Sequence, residues 1–239
     1  MNCYFSIITV AFNSEKTIED NIISVRNQKF KNYEHIIIDN LSSDSTKELI
    51  TKNLYKNITY IREKDLGIYD AMNKGIIKAK GKWIHILNSD DYYSNNDALL
   101  IASKKLEKTK LNYFKITFVN KNKSFIKNYS WKYNKFLMNV RANIPHPTMI
   151  ISKDQYNDIG LFNLKYKIAS DHDLTLRLCK KYTPIEHNYF LVKMRDGGIS
   201  RTNPILVARE FRDVTINNGF NFVLAQLIYL YRYIKFKFL

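Results

Sequence analysis

The sequence predicts an α/β fold with a mostly parallel central sheet, flanking helices and a helical tail at the C-terminus. Through the first hundred residues, short apolar runs rich in β-branched side chains alternate with segments of helical periodicity. The length of 239 residues suits one large domain, or one domain with an appendage. Only seven glycines and four prolines are present, which argues against a disordered or collagen-like chain. Strands that alternate with helices imply a parallel sheet covered by those helices.

Four buried strands are predicted in the N-terminal hundred residues. The apolar runs that predict them cover residues 5–11, 35–38, 58–61 and 83–87. Helices are expected between these strands, over about residues 14–28, 46–54 and 67–80. Asn13 or Ser14 can cap the first helix, and Gly81 is expected to end the third.

The loops at the carboxyl ends of these strands form the predicted ligand-binding edge. Ligands of such sheets bind beyond those strand ends, although the loops are far apart in the chain. The four loops cover residues 11–14, 39–43, 63–67 and 88–91. Three of them carry carboxylates. We therefore expect acidic side chains from distant parts of the chain to meet there.

The remaining residues predict fewer strands and more helices. Strands are expected over 111–119, 124–129 and 148–151, the first two antiparallel, and helices over 170–182, 203–217 and 220–239. Neither an internal repeat nor a linker is visible. The predicted organisation is one globular domain over residues 1–202, followed by a helical extension rich in basic and aromatic residues over 203–239.

The net charge of +16 is concentrated behind the first hundred residues. Residues 1–100 hold thirteen basic and thirteen acidic side chains, whereas residues 101–140 hold ten lysines and one acid, Glu107. Such a patch favours an anionic partner: a membrane surface, a phosphorylated lipid or nucleic acid. A bias of composition toward solvated lysines is the alternative.

Cysteine content and hydropathy limit the cellular compartment that we expect. Cys3 and Cys179 are too few for a disulfide framework and lack the spacing of zinc ligands, which favours a reducing compartment. Residues 1–12 lack the pattern of a secretory signal, and no apolar run reaches the ~18 residues of a membrane span. We expect a cytoplasmic protein.

Asp90 and Asp91, after the fourth strand, are the sharpest local feature. Adjacent carboxylates at a strand end can hold a divalent cation, which would bridge a diphosphate. A solvated turn is the alternative. Asp39, at the end of the second strand, could accept a hydrogen bond from a base or a ribose, or could cap a turn.

Two predicted helix starts also carry charged residues. Lys74, in the segment 63–75, could contact phosphate with help from the partial positive charge of a helix N-terminus. An ordinary capped helix is the alternative. Asp171 and Asp173 lie at the second helix start, where either could simply be a cap, and spacing does not choose between them.

Six motifs, taken together and in order, resemble those of the family 2 glycosyltransferases, which have the GT-A fold. Each motif is weak alone, and together they span about residues 4–200. They are TVAFN at 9–13, IDNLSSDST at 38–46, DLGIYDAMNKG at 65–75, LNSDD at 87–91, HPT at 146–148 and ASDHDL at 169–174. They look most like the bacterial branch that builds capsule, exopolysaccharide and lipopolysaccharide chains.

The resemblance implies a Rossmann-like GT-A sheet and an inverting transfer of sugar from a nucleotide-diphosphate sugar, most often a UDP-sugar. It implies Mn²⁺ or Mg²⁺ as cofactor. The implied acceptor is a glycan or a glycan linked to polyprenyl diphosphate. Such an acceptor places the protein in the cytoplasm, peripheral to the inner face of the cytoplasmic membrane.

The roles of residues follow from the matching motifs. The resemblance implies that Asp171 is the catalytic base and Asp91 the metal ligand. The residues implied to bind the nucleotide sugar are Thr9, Ala11, Phe12, Asn13, Asp39, Asp65, Lys74 and Asp90. Among these, Asp39 is implied to bind the nucleobase and Asp90 the ribose. Asp173 is the reserve candidate for the base. His146 is expected on the acceptor or diphosphate side, with a structural histidine as the alternative.

Two positions depart from the family pattern. Ser170 stands where glutamate is common, which leaves a non-catalytic relative as an alternative. Asn88 stands where many members have aspartate, and this leaves the Asp90–Asp91 pair intact.

The C-terminal segment 221–239 mixes aromatic and aliphatic side chains with terminal arginine and lysine. It could lie in the interface of an anionic membrane, or pack on the core or a partner subunit. Residues 197–200, with two glycines, are expected to form a loop over the site.

Two other functional classes fit the sequence less well. A nucleic-acid-binding protein would use the basic charge, but no recognisable binding motif organises it, and we expect no nucleic-acid partner. A nucleotidyltransferase would share the sheet and the carboxylates, but the N-terminal region lacks a glycine-rich phosphate loop with a basic signature. A nucleotidyltransferase would release pyrophosphate, and a glycosyltransferase a nucleoside diphosphate.

Overall fold

The computed structural model describes residues 3–130, 132–197 and 203–238. Its strands are β1 (Phe5–Ala11), β2 (Tyr33–Asp39), β3 (Ile58–Arg62), β4 (Trp83–Ile86), β5 (Tyr92–Tyr93), β6 (Lys110–Val119), β7 (Phe125–Tyr129), β8 (Met149–Ser152) and β9 (Thr183–Arg195). Its helices are α1 (Ile18–Arg26), α2 (Thr46–Lys52), α3 (Ile68–Lys78), α4 (Ala98–Ser103), α5 (Lys135–Val140), α6 (Lys153–Ile159), α7 (Ser170–Lys181), α8 (Pro204–Asn217) and α9 (Phe222–Phe238). A turn of 3-10 helix covers His146–Thr148.

The strands of the described residues form one sheet in the order β3-β2-β1-β4-β8-β6-β9-β5, with β7 paired to β6. Strands β1 to β4 run parallel, as the sequence predicts. Ala11 at the end of β1 pairs with Asp39, and Asp39 pairs with Arg62 at the end of β3. The carboxyl ends of these strands therefore meet at one edge of the sheet.

The other half of the sheet changes direction at β8. This strand is antiparallel to both β4 and β6, and β7 is antiparallel to β6 as predicted. Strand β9 runs parallel to β6 and is absent from the sequence prediction. Most of its residues are only half-buried or exposed, and it contains Pro184 and Glu186. No apolar run therefore marks it in the sequence.

Two predicted helix boundaries are wrong. Helix α1 begins at Ile18, because Ser14 starts a turn in which its carbonyl accepts the N–H groups of Thr17 and Ile18 at 2.9 Å each. Helix α3 ends at Lys78, and Gly81 does not cap it. A Cβ on Gly81 would lie 2.4 Å from the backbone nitrogen of Ser6, so this glycine is required by close packing against β1.

Helices cover both faces of the sheet. One apolar cluster joins the sheet to α3, α6, α7 and α8, and a second joins its other face to α1 and α4. Neighbouring residues of β4 divide between the clusters, with Ile84 in the first and Trp83 in the second. The alternation follows from the two-residue period of a strand.

Helix α8 is tied to the loop before α7. The Glu210 carboxylate accepts the backbone N–H groups of Lys167, Ile168 and Ala169 at 2.9, 2.8 and 3.0 Å. The domain boundary predicted at residue 202 and residues 198–200 of the predicted glycine loop lie outside the described residues. Across the described part of the chain, every helix is too short or too polar to cross a membrane.

Candidate active site

Side-chain hydrogen bonds join the loops that follow the parallel strands. The Asn13 side-chain oxygen accepts the Ser43 backbone N–H at 2.9 Å, which ties the β1 loop to the β2 loop. The Ser14 and Ser89 hydroxyls lie 2.9 Å apart and tie the β1 loop to the β4 loop. The Asn13 backbone has a φ of 48°, a conformation that asparagine tolerates better than most residues. The loops therefore meet as the sequence predicts.

The β3 loop joins this group through the β2 loop. The side-chain oxygen of Asn40 accepts the backbone N–H of Asp65 at 2.9 Å. The Asp65 carboxylate then accepts the N–H of Gly67 at 2.8 Å, just before α3. Burial raises the pKa of Asp65 above its ordinary value. Asp65 thus shapes the loop with its side chain.

Asp39 is fully buried at this edge, and both of its carboxylate oxygens have partners. One oxygen accepts the backbone N–H and the hydroxyl of Ser42 at 3.1 and 2.5 Å. The other accepts the Tyr60 hydroxyl at 2.8 Å and lies 3.3 Å from the Arg62 guanidinium. Ser42 lies in the 38–46 motif, but no role was predicted for it, and Tyr60 and Arg62 were not singled out from the sequence. Tyrosine and arginine are common at strand ends, so no local pattern marks these two residues.

Two predicted nucleotide-binding side chains are occupied elsewhere. Thr9 is fully buried, and its hydroxyl lies 3.1 Å from the Asn21 side chain and 3.0 Å from the His35 ring. Thr9 therefore does not present its side chain to the loops, because alternate residues of β1 point to opposite faces. The Lys74 ammonium donates to the Lys64 carbonyl at 2.6 Å, and it pairs with two carboxylates of its own segment. Lys74 is not a free cation for phosphate.

The first loop also contains Ala11 and Phe12. Ala11 is buried at the end of β1, and its carbonyl accepts the N–H of Asn40 at 3.0 Å. Phe12 is exposed next to Asn13. The roles implied for these residues in nucleotide binding stay predictions.

Asp91 carries the clearest unsatisfied atom of the site. Its side chain is buried, and its Oδ1 has no hydrogen-bond partner among the described residues. The other oxygen accepts from the Asn88 amide at 3.4 Å, and the Asn88 side-chain oxygen is itself buried without a partner in the described chain. Burial and the charge of Asp90 raise the pKa of Asp91 well above its ordinary value. Burial also raises the pKa of Asp90.

The two orphaned oxygens, on Asp91 and Asn88, fit a hard divalent cation. Carboxylate and amide oxygens are ligands that Mg²⁺ and Mn²⁺ accept. No group of three or more histidine, cysteine, aspartate or glutamate side chains in the described ranges could hold a metal. A cation held here would therefore need further oxygens from a bound ligand or from water.

Asn21 and Arg195, which no sequence pattern singled out, hold the acidic loop in place. The Asn21 amide donates to the carbonyls of Asn88 and Asp91 at 2.9 and 3.0 Å. The buried Arg195 guanidinium donates to the Asp90 carbonyl at 2.6 Å. Arg195 comes from the unpredicted strand β9, so no sequence signal linked it to this loop.

Asp171 lies at the N-terminus of α7 and is joined to α3. The Tyr69 hydroxyl lies 3.1 Å from Asp171 Oδ1 and 2.5 Å from the carbonyl of Ile168. The backbone N–H of His172 donates to the same Oδ1 at 2.8 Å. Tyr69 lies in the first turn of α3, just behind the β3 loop, so this contact brings Asp171 to the same sheet edge. Burial raises the pKa of Asp171 above its ordinary value.

Asp173 points away from this arrangement. Its carboxylate accepts from the Arg177 guanidinium and from the Asn218 amide, both at 2.9 Å. It lines a different cavity, between the loop before α7 and the end of α8. The Asp173 carboxylate therefore already has two partners in this structure, and its role as reserve base stays a prediction.

His146 is connected to Asp171 through the aromatic rings of Phe162 and Tyr69. Its ring contacts Phe162 edge-on at 5.5 Å, and Phe162 stacks on Tyr69 at 5.4 Å. The Asn73 side chain holds the Phe162 backbone through bonds of 3.0 and 2.9 Å. Burial lowers the pKa of His146 to about 4, which makes the ring neutral near pH 7. A neutral ring can contact an acceptor but does not supply positive charge to a diphosphate.

Comparison with known proteins agrees with this geometry. The family model described as Glycosyl transferase family 2 matches residues 6–157. A PGL/p-HBAD biosynthesis glycosyltransferase of Mycobacterium bovis is 26% identical over 217 residues, which are 87% of this chain and 82% of the relative. A putative teichuronic acid biosynthesis glycosyltransferase of Bacillus subtilis, TuaG, is 32% identical over 97 residues, 38% of this chain and 37% of the relative.

Two solved structures share the fold. Staphylococcus aureus TarS 1–349 in complex with UDP-GlcNAc superposes with a TM-score of 0.69 at 20% identity, covering 98% of this chain and 73% of that one. The mannosyltransferase PcManGT of Pyrobaculum calidifontis, in complex with GDP-Man and Mn²⁺, superposes with a TM-score of 0.67 at 15% identity. This superposition covers 94% of this chain and 69% of the PcManGT chain.

The mixed sheet and its flanking helices have the GT-A fold, and the family match shows that the chain is a glycosyltransferase. The family match covers well over half of the chain, and it includes strands β1 to β8 and the Asp90–Asp91 loop. This chain belongs to glycosyltransferase family 2, as the sequence predicts.

Proposed function

We propose that this glycosyltransferase moves a sugar, with inversion, from a nucleotide-diphosphate sugar to a glycan or lipid-linked glycan. The observation that carries the proposal is the Asp171 carboxylate, which Tyr69 holds at the edge where the four loops meet. A UDP-sugar is the favoured donor. The complex of TarS with UDP-GlcNAc supports a donor of this class.

Asp171 acts as the general base. Both of its hydrogen bonds go to Oδ1, and none of the described residues donates to Oδ2. In this proposal Oδ2 accepts the proton of the acceptor hydroxyl. The raised pKa brings the carboxylate closer to neutral pH, where a general base takes a proton most effectively.

The transfer makes one carbon–oxygen bond, breaks another, and moves one proton. The acceptor oxygen attacks the anomeric carbon from the face opposite the diphosphate and loses its proton to Asp171. The bond from the anomeric carbon to the diphosphate breaks, and the nucleoside diphosphate leaves with the electron pair. An oxocarbenium-like transition state is expected by analogy with other glycosyl chemistry. Attack from the opposite face inverts the anomeric centre.

The nucleotide lies over the joined loops in this proposal. Asp39, held rigid by its partners, faces the base, and Asp90 faces the ribose. Asp91 and Asn88 would hold a Mn²⁺ or Mg²⁺ ion. Such an ion would supply positive charge that stabilises the departing diphosphate.

The setting that we propose is bacterial surface polysaccharide synthesis, such as a capsule or lipopolysaccharide, at the inner face of the cytoplasmic membrane. Support comes from the relatives, one of which is a putative teichuronic acid biosynthesis glycosyltransferase. The basic charge behind residue 100 is compatible with an anionic membrane there.

The first test is thermal unfolding with UDP, GDP, CDP and dTDP, each with and without Mn²⁺. A ligand present at about 100 times its Kd stabilises a protein by about 2.7 kcal/mol. We expect one diphosphate, UDP first, to raise Tm in the presence of the metal. If none of the four diphosphates raises Tm, the proposal fails, and a non-catalytic relative or a protein that binds through its basic patch becomes the favoured alternative.

The second test compares Asp171→Asn with Asp173→Asn. Nucleotide sugars that contain the nucleoside diphosphate identified by unfolding are supplied as donors, and release of that diphosphate is followed by chromatography. Asp171→Asn should lose on the order of 10²–10⁴-fold in turnover while keeping the nucleotide-dependent rise in Tm. Asp173→Asn should lower Tm and retain most of the turnover. Turnover at the parental rate in Asp171→Asn would remove Asp171 from the role of base.

A further inference from the structure

The C-terminal helix α9 leaves one apolar face uncovered. Six large side chains on this face are between 44% and 67% exposed. They are Val223, Leu224, Leu227, Leu230, Tyr231 and Ile234. Their spacing of three and four residues places them on one stripe of the helix, which we call the α9 stripe.

The opposite face of α9 holds the helix against the protein. Ala225 is buried there. The Arg212 guanidinium of α8 lies 4.7 Å from the centroid of the Tyr229 ring, and Arg232 donates to the carbonyl of Val140 in α5. Helix α9 is thus fixed by its inner face, and the α9 stripe points outward by its position on the helix.

An exposed aromatic side chain lies next to the start of α9. Phe136 of α5 is 60% exposed, and its ring lies 6.2 Å from the ring of Phe220, just before α9. Phe222, the first residue of α9, is also 60% exposed. Exposed apolar groups grouped in this way are uncommon on monomeric proteins and indicate an interaction surface.

The charge of this region indicates the partner. Helix α9 contains Arg232, Lys235 and Lys237 and no acidic residue. At 100° per residue, Lys235 and Lys237 leave the helix on opposite sides of the α9 stripe. Lysines in this arrangement reach phosphate headgroups while the apolar side chains between them enter the interface. With seventeen residues, α9 is about 25 Å long and suits a position in the plane of a bilayer.

We propose that the α9 stripe docks on the surface of an anionic lipid bilayer. The inference deepens the proposed function, because it names the surface where a lipid-linked acceptor would be met. A second copy of the chain fits this face less well, because α9 has no acidic side chain that could pair with the lysines of another copy.

The test is flotation of the full chain, without nucleotide, on two kinds of vesicle. One is phosphatidylcholine with about one-third phosphatidylglycerol, and the other is phosphatidylcholine alone. We expect flotation with the anionic vesicles, weaker flotation with the neutral ones, and partial release by added salt. Leu227→Glu combined with Leu230→Glu should reduce the partition coefficient at least about tenfold.

A matched control carries the same change of charge at another place. Leu54→Glu combined with Ile77→Glu replaces two exposed apolar side chains, after α2 and in α3, and should partition within about twofold of the parent. If the glutamate pair in α9 prevents folding, Leu227→Ser with Leu230→Ser takes its place. Circular dichroism and Tm verify that each variant is folded.

Three results would overturn the docking proposal. One is a parent protein that does not float with anionic vesicles. Another is a loss of vesicle binding in the Leu54→Glu, Ile77→Glu control that equals the loss in the α9 variant. The change in net charge alone would then explain both losses. The third is a dimer, seen by light scattering, that the α9 substitutions abolish while vesicles bind neither protein. The nucleotide-dependent rise in Tm is measured without vesicles, so failure of the proposed enzymatic function is separately visible.

Discussion

The ring of His172 stacks on the ring of Phe211, with centroids 3.8 Å apart and an interplanar angle of 13°. The guanidinium of Arg232 lies 4.7 Å from the centroid of the same Phe211 ring. Since His172 directly follows Asp171, this column joins the helix that carries the proposed base to α8 and α9. Burial lowers the pKa of His172 to about 3, so the stacked ring is neutral.

Phe211→Ala should destabilise the protein by about 3–5 kcal/mol, because it removes a buried aromatic ring and leaves a cavity beside His172. Thermal and denaturant unfolding measure the change. Phe222→Ala is the matched control, since this ring is 60% exposed and its loss should cost no more than about 0.5 kcal/mol. Equal stability of the two variants would mean that the column does not hold α7 in place.

Tyr69→Phe should move the acid limb of kcat/KM to higher pH. Burial raises the pKa of Asp171, and the Tyr69 hydroxyl opposes that rise by donating to the carboxylate. Without the hydroxyl, the ionised carboxylate is less favoured, its pKa rises further, and activity is lost at a higher pH as acid is added. The single hydroxyl proton is shared with the Ile168 carbonyl, which is closer at 2.5 Å, so the bond to Asp171 is weaker than a full hydrogen bond to a charged group, and we expect a shift of about half to one pH unit.

Tyr182→Phe is the control for this pH profile. The Tyr182 hydroxyl donates to Asp158 on the surface, so its removal should leave the acid limb unchanged. The measurement is kcat/KM from about pH 5 to 9, in a range where both variants are folded. An acid limb at the parental pH in Tyr69→Phe would show that the Tyr69–Asp171 bond does not govern the base.

Asp91→Asn should abolish the metal-dependent part of the nucleotide's effect on Tm. The same variant should be at least as stable as the parent in the presence of a chelator. The reason is that Asp91 is buried, its Oδ1 lacks a partner among the described residues, and its charged form is disfavoured by Asp90. Asp97→Asn, which affects an exposed ion pair with Lys29, should change neither property. A parental metal response in Asp91→Asn would place the cation elsewhere.

Gly81→Ala should destabilise the fold by at least about 1–3 kcal/mol, because the added Cβ would lie within 2.4 Å of the Ser6 backbone. Lys80→Ala, at the exposed neighbouring position, should be within about 0.5 kcal/mol of the parent. Denaturant unfolding compares the two variants. A neutral Gly81→Ala would show that β1 and the turn before β4 separate without cost.

The parallel half of the sheet was readable because β1, β2 and β4 are apolar runs whose length matches buried strands, and the β-branched residues of β3 marked it although it is a half-exposed edge strand. The antiparallel half was only partly readable. Strand β9 mixes polar and apolar residues and is held by its pairing with β6 and β5, which local pattern does not record. Arg195 was therefore missed, although it contacts the acidic loop.

The sequence by itself determined the fold class, the family and the loops that meet at the sheet edge, because periodicity and the order of motifs can be read along the chain without knowledge of its packing. Only the tertiary structure separated Asp171 from Asp173. Both lie in the first turn of α7, but the first contacts Tyr69 of α3 and the second pairs with Arg177 and Asn218. Which face of a helix meets which neighbour depends on packing between elements far apart in the chain. Packing of this kind also buries the Thr9 side chain of β1 against α1, and it leaves the α9 stripe facing outward.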